Sequence, residues 1–249
     1  MCGFFFIKKK KKYNFDRNKI NSACKLLSHR GPDDHKIFSN DDIFVEFFRL
    51  SIQDLSENGM QPMISKSRKN IIIFNGEIYN FKELRKYLNN IELKSNSDTE
   101  VLLNLYEKIG NKVFEKIEGM YSFIIYNFET KKILVARDQF GIKPLYFFEN
   151  DESLIFSSEI KPILKYLDTV EINHNSLGEY FFLGKQDHSN KTFFKKIKAI
   201  EPSHYYYFYN NKKIKYRYWS IFSNTKRNKS DKQNIDKLYK MMNKSLDKY

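Results

Sequence analysis

A chain of 249 residues is long enough for one large domain, or a domain with an appendage, built around a sizeable core. With 41% apolar and 16% aromatic residues its composition is globular, which excludes a disordered or fibrous class. A formal net charge of +14 raises the question of a nucleic-acid or anionic-surface partner, but the lysines are scattered along the whole chain and define no basic face. No apolar run is long enough to span a membrane, and Phe4–Ile7 is too short for the core of a signal peptide. The expectation is a soluble, cytoplasmic protein that binds neither nucleic acid nor membrane. Two cysteines, Cys2 and Cys24, make no disulfide framework. No CxxC or HExxH spacing occurs and the histidines are dispersed, so no metal site is expected.

The elements follow in chain order. Cys2–Ile7 predicts a strand ending in the lysine run Lys8–Lys12, which suits a solvated turn. Asp16 can cap a helix through Leu27 with Ile20, Cys24 and Leu27 on its apolar face. His29–Asp34 (HRGPDD) reads as a loop broken by Gly31-Pro32. Ile43–Leu50 and Asn70–Phe74 read as strands, and Asn75-Gly76 has the composition of a turn. Phe81–Leu88 and Glu100–Ile109 read as helices. Met120–Phe128, Lys132–Arg137, Pro144–Phe148 and Leu154–Ser157 follow as strands at hairpin spacing. Ser158–Leu167 and Ser176–Leu183 are short helices, and His204–Tyr209 with Lys213–Trp219 forms a hairpin about Asn210-Asn211. Phe222–Asn234 is polar and reads as a linker. Ile235–Leu246 is amphipathic. Many strands with segregated helices point to an α+β fold in which two sheets pack face to face with helices outside.

Cys2 is the chemically distinctive residue. If Met1 is removed, Cys2 carries a thiol beside a free α-amine. That amine titrates near about 7.7–8.0 and a free thiol near about 8.5. Nucleophile and base then share one residue, and the thiolate can attack an amide or acyl carbon to give a thioester. Each candidate residue also has a plainer reading. Cys2 could simply start a buried strand, Arg49 could be an ordinary strand-end arginine, Asn75-Gly76 a turn, and Asp98 the cap of a helix over Thr99–Ile109.

The plainer readings weaken when the motifs are taken together. After MCG come HRGPDD (His29–Asp34), RLSIQD (Arg49–Asp54), QPM (Gln61–Met63), NGEIYN (Asn75–Asn80), SDTE (Ser97–Glu100), ARDQFGIKPLYF (Ala136–Phe147) and SSEIKPIL (Ser157–Leu164). In this order they resemble the glutaminase half of glutamine-hydrolysing asparagine synthetases, the class II glutamine amidotransferases, over about residues 2–220. The resemblance implies a four-layer αββα sandwich of two mostly antiparallel sheets, the N-terminal nucleophile hydrolase fold, with L-glutamine as the ammonia donor. It implies Cys2 as nucleophile, Arg49 as the holder of the glutamine α-carboxylate, and Leu50, Ser51, Ile52 and Gln53 as pocket lining. Asn75 and Gly76 match the oxyanion hole, Glu77 and Asp98 the pair that binds the α-amine, and Arg30 a supporting position near the cysteine. His29, Lys143 and Asp138 are expected to be structural or, for the last two, to lie at an interface.

By the same resemblance, residues 221–249 would be a linker and the first helix of a synthetase domain. No SGGxDS pyrophosphate loop follows, so the synthetase half is expected in a longer protein or on a separate polypeptide. The glutaminase half needs no cofactor, whereas ATP and Mg²⁺ are implied for the synthetase half. The partner would be the ammonia-accepting domain or subunit, and a homodimer stays open. The competing expectations are an inactive or partner-dependent glutamine-binding module, a glutaminase that serves amidation of another carboxylate, and a basic nucleic-acid binder.

Overall fold

The first strand, β1 (Gly3–Lys9), is apolar on both faces: Phe4 and Phe6 point one way, Phe5 and Ile7 the other, and all four are fully buried. Because side chains alternate along a strand, such a strand must lie between two apolar layers. The computed structural model, which describes residues 1–89, 91–222 and 230–246, places it so. The remaining strands are β2 (Asp34–Ser39), β3 (Ile43–Arg49), β4 (Met63–Ile64), β5 (Asn70–Ile78), β6 (Gly119–Asn127), β7 (Ile133–Arg137), β8 (Tyr146–Glu149), β9 (Ser153–Ser157), β10 (Ile197–Ala199), β11 (His204–Tyr209) and β12 (Lys212–Arg217). The helices are α1 (Arg17–Cys24), α2 (Phe81–Arg85), α3 (Asp98–Ile109), α4 (Ile160–Tyr166), α5 (His174–Leu183) and α6 (Asp231–Leu246).

Two six-stranded sheets result, in the orders β10-β8-β9-β1-β3-β2 and β12-β11-β7-β6-β5-β4, with antiparallel pairing throughout. Between them lies a core that includes Phe4, Phe6, Val45, Phe47, Ile71, Ile73, Ile124 and Phe156. A second core packs α1 and α4 on the outer face of the first sheet, through Phe5, Ile7, Ile20, Cys24, Phe44 and Ile163. A third packs α2 and α3 on the outer face of the second sheet, through Ile72, Phe74, Leu84, Leu102 and Phe123. Three apolar layers separate four structural ones, helix–sheet–sheet–helix. The chain divides into two compact units, Met1–Tyr218 and Trp219–Tyr249. In the second, α6 exposes Ile235, Leu238, Tyr239, Met242 and Leu246.

The local signals mostly hold. Asp16 caps α1, its carboxylate accepting from the Lys19 N–H at 3.0 Å. The predicted helix through Leu27 is α-helical only to Cys24 and continues as a 3₁₀ turn to Arg30. The cap of α3 is Ser97, not Asp98, which is the first helical residue. The turn expected at Asn75-Gly76 is absent: β5 runs through both residues to Ile78, with Asn75 opposite Ser122 and Gly76 opposite Tyr121. The glycine serves close approach instead, since a Cβ there would sit 2.3 Å from the Met120 carbonyl oxygen. The edge strands β2 and β10 had no sequence signal. The linker expected at Phe222–Asn234 falls partly outside the described residues, and its last four positions belong to α6.

Candidate active site

The site forms where the inward-facing positions of four neighbouring strands stop being apolar. Continuing Phe6 and Phe4 backward along β1 reaches Cys2, and continuing Val45 and Phe47 along β3 reaches Arg49. Ile71 and Ile73 of β5 lead to Asn75 and Glu77, and Tyr126 and Ile124 of β6 lead to Ser122 and Met120. The same period-2 alternation that builds the inter-sheet core therefore delivers a thiol, a guanidinium, an amide and a carboxylate to one end of it. Cys2, Arg49, Leu50, Ser51, Ile52, Gln53, Asn75, Gly76, Glu77 and Asp98 all line one open cleft of about 670 Å³, mouth included.

Cys2 is held from three directions. The Leu50 N–H donates to its sulfur at 3.4 Å. Arg30 Nε donates to its carbonyl oxygen at 3.0 Å while Arg30 Nη1 pairs with Glu159 at 3.0 Å. Ser158, just past the end of β9, binds both the N–H and the carbonyl of Phe4 at 3.1 Å. Arg30 packs so closely that a Cβ on Gly3 would lie 2.9 Å from its Cδ. Burial pushes the Cys2 thiol up, opposed by the Leu50 N–H, the nearby amino terminus and Arg49. With Met1 in place, burial lowers the Met1 amine, and the charges of Arg30 and Lys143 lower it further.

The opposite wall is built from loop carbonyls and carboxylates. Arg49, buried at the end of β3, donates to the carbonyls of Ser56, at 2.9 Å, and Asp54. Gly59 leaves room for it, since a Cβ there would be 2.7 Å from Arg49 Nη2. Gln53 donates to Glu77 at 3.1 Å. Ser51 N–H is fixed by Asp33 at 2.7 Å, and Asp54 accepts from the Asn96 N–H at 2.7 Å. Asp98 accepts from the Ile78 N–H at 2.9 Å; its burial pushes its carboxyl up to about 7 against that hydrogen bond. Asn75 is 1% exposed, and its side-chain amide nitrogen has no partner. An orphaned buried donor is costly, and such groups mark sites that something else completes.

Of the three residues placed around the site, only Lys143 departs from expectation. Arg30 does not line the cleft but backs it, through Cys2 and Gly3. His29 points outward to Glu159 at 2.9 Å. Lys143, expected to be structural or interfacial, lines the cleft with 6% exposure. Gln61, part of the QPM motif, carried no role in the sequence; it ties β5 to α3 by accepting from Phe74 N–H at 2.6 Å and donating to Thr99 at 3.2 Å. A separate hollow beside Asn70 and Glu107 is a closed network, with Asn70 donating to Glu107 at 2.7 Å and accepting from Asn127 at 2.9 Å. Among the described residues no group of three or more His, Cys, Asp or Glu is placed to hold a metal ion, and no helix is long and apolar enough to cross a membrane.

Two facing antiparallel sheets between helical layers, with a cysteine just ahead of a central strand, define the N-terminal nucleophile hydrolase fold. Solved structures share it. One is the glutamine phosphoribosylpyrophosphate amidotransferase of Bacillus subtilis, with a TM-score of 0.63 and 18% identity over 88% of this chain and 50% of that one. Another is an allosteric regulatory enzyme of purine biosynthesis, with a TM-score of 0.64 and 17% identity over 88% of this chain and 49% of that one. The profile of the glutamine amidotransferase domain matches residues 1–219, and the chain belongs to that family. Among curated relatives, asparagine synthetase [glutamine-hydrolyzing] 2 of Bacillus subtilis is 36% identical over 75% of this chain and 25% of its own length. A putative asparagine synthetase of Methanocaldococcus jannaschii is 38% identical over 68% of this chain and 36% of its own length. Asparagine synthetase 3 of Bacillus subtilis is 32% identical over 90% of this chain and 37% of its own length. The chain thus spans 25% to 37% of these relatives and corresponds to their glutamine amidotransferase part.

Proposed function

We propose that this chain hydrolyses L-glutamine to glutamate and ammonia through a thioester on Cys2, and that the ammonia serves ATP-dependent synthesis of asparagine from aspartate. The observation that carries the reading is the convergence of Cys2, Arg49, Asn75, Glu77 and Asp98 on one cleft. A guanidinium suits a carboxylate, and two carboxylates suit an ammonium, so Arg49 lining the same cleft as Glu77 and Asp98 supports a clamp for an α-amino acid. The unpartnered Asn75 amide and the Gly76 backbone N–H are neutral donors for an oxyanion.

The reaction requires removal of Met1, which gives Cys2 its own α-amine. The amine takes the thiol proton as the sulfur bonds to the side-chain amide carbon, and the carbonyl electron pair moves onto oxygen, where Asn75 and Gly76 receive it. The tetrahedral species collapses, the C–N bond breaks, and the amine's proton goes to the leaving nitrogen, which departs as ammonia. Water then attacks the thioester, the amine again takes a proton and returns it to sulfur, and glutamate leaves. Aspartate activation, with its ATP and Mg²⁺, belongs to a partner domain or subunit that receives the ammonia.

The test is glutamate release by purified protein whose amino terminus has been read by mass spectrometry. A glutamine-derived electrophile should label Cys2 and stop the reaction. Undiminished hydrolysis by Cys2→Ala, or full activity in protein that retains Met1, would end the proposal.

A further inference from the structure

Lys143 is the residue whose placement the mechanism leaves unused. Its loop is held with unusual completeness. The Asp138 carboxylate accepts from the backbone N–H groups of Tyr121, Phe140, Ile142 and Lys143, at 3.2, 3.0, 2.9 and 3.0 Å. Arg137 grips the same loop from the other side, donating to the carbonyls of Lys143 at 2.9 Å and Gly141 at 2.6 Å. The chain turns at Gly141 with φ of +69°, a conformation that favours glycine. This scaffold delivers a lysine that is 6% exposed into the lining of the cleft, beside the amino terminus and Cys2.

Its charge also has no direct partner, although the carboxylates of Glu77 and Asp138 bear on it. Among the described residues no ion pair or hydrogen bond engages the Lys143 ammonium, whereas the neighbouring cation Arg30 is paired with Glu159 at 3.0 Å. The Lys143 side chain is largely buried while its end lines the open cleft, and a rigid loop that holds an unpaired cation there directs its field into the site.

We propose that Lys143 is a positioning residue for the proton: its positive charge keeps the α-amine that Cys2 carries once Met1 is removed in the free-base form that can accept the thiol proton. This rests on the glutaminase reading above. Several charged groups bear on the Met1 amine, one residue ahead of the amine that Cys2 carries after processing: Cys2 and Asp33 favour its protonation, and Arg30 and Lys143 oppose it. Burial lowers the Lys143 ammonium in turn, the charge of Arg30 lowers it further, and Glu77, Asp138 and Cys2 oppose that. Of the two opposing cations, Arg30 is tied to Glu159 and to the Cys2 carbonyl, so Lys143 is the one whose removal changes charge without releasing the nucleophile's backbone.

Two measurements on wild type, Lys143→Met, Lys143→Gln and Lys143→Arg test this. Competitive trace acetylation across a pH series reads the amine's own titration, and kcat at saturating glutamine reads the acid limb of turnover. Saturation matters, because Asp98 then faces bound substrate and contributes little to that limb. In the two neutral variants both midpoints should move up by about one pH unit, and kcat at pH 7 should fall about three- to tenfold. Lys143→Arg should stay within about twofold of wild type. An amine midpoint in the neutral variants within about 0.2 unit of wild type overturns the role of Lys143. Glutaminase activity that survives Cys2→Ala overturns the hydrolysis reading instead, and the acetylation result still decides Lys143.

Discussion

The two ends of the inter-sheet core are built from the same strands at the same parity, yet they do opposite things. In the middle, Phe4, Phe6, Phe47, Ile71 and Ile73 interdigitate and are fully buried. At the end, one or two alternations further along, Cys2, Arg49, Asn75 and Glu77 occupy equivalent inward positions. The middle gains stability from burial, whereas the end retains an unpartnered amide on Asn75, a carboxyl on Asp98 displaced by burial, and the unpaired ammonium of Lys143. Preorganised polar groups can act on a substrate only if the protein itself does not satisfy them. Stability and function should therefore separate along a single strand.

The strongest break of that comparison uses β1 itself. Phe6 packs against Tyr126 and Phe156, with ring centroids 6.3 and 5.9 Å away. Phe6→Ala should cost about 3–5 kcal/mol in denaturant unfolding. Cys2→Ala, four residues earlier on the same face, should change stability by less than about 1 kcal/mol and reduce glutamine turnover at least about 10³-fold. Equal destabilisation by the two substitutions would mean that Cys2 is one more core residue.

Asn75 sharpens the contrast on β5. Asn75→Ala removes a buried donor that has no partner, so unfolding free energy should stay within about 1 kcal/mol of wild type or rise. Loss of an oxyanion donor should lower kcat about 10²–10³-fold with little change in KM. A large loss of stability with unchanged kcat would place Asn75 in the scaffold.

Asp98 is the pH lever. Burial raises its carboxyl from 3.8 to about 7, so between those values the folded protein holds a proton that the unfolded chain has lost. Its contribution to stability is therefore lost as pH rises through that window. Substrate affinity runs the other way, because only the carboxylate balances the glutamine ammonium. KM should rise toward about tenfold per pH unit as pH falls below about 7, and Asp98→Asn should flatten that dependence while raising KM at pH 8. A wild-type KM that is constant from pH 8 to pH 6 would remove Asp98 from the clamp.

The alternation that organises both ends was legible in the chain, because FFFI, IFVEFFR and NIIIF carry period-2 and two-faced apolar signals without any long-range knowledge. The ordered motifs also marked residues that line the cleft. What could not be read locally was anything decided by a distant neighbour. Asn75-Gly76 has turn composition, and only the Met120 carbonyl across the ladder makes it strand. The edge strand β2 carries DHKIFS, largely exposed, so no apolar pattern announces it. Lys143 looked like loop filling because its meaning depends on Asp138 collecting four backbone N–H groups and on an amino terminus 142 positions earlier in the sequence. Arg49 likewise needs carbonyls from Asp54 and Ser56 to fix its direction.

The smallest expected effect comes from a buried carboxyl on the opposite face of β3. Glu46 alternates with Val45 and Phe47, so it points to the helical layer with Phe44 and Phe48, beside Cys24, and is 7% exposed. Burial pushes its carboxyl up, only partly opposed by the Cys24 thiol and the charge of His35. As with Asp98, stability is lost as pH rises above the unfolded glutamate value of about 4.3. Unlike Asp98, Glu46 does not line the cleft, so no substrate turns that cost to use. Glu46→Gln should therefore raise the melting temperature by about 2–4 °C at pH 8, have little effect at pH 4, and leave glutamine turnover unchanged. A drop in turnover would show that the outer face of β3 communicates with Arg49 at its end, and the separation of stability from function along the strand would fail there.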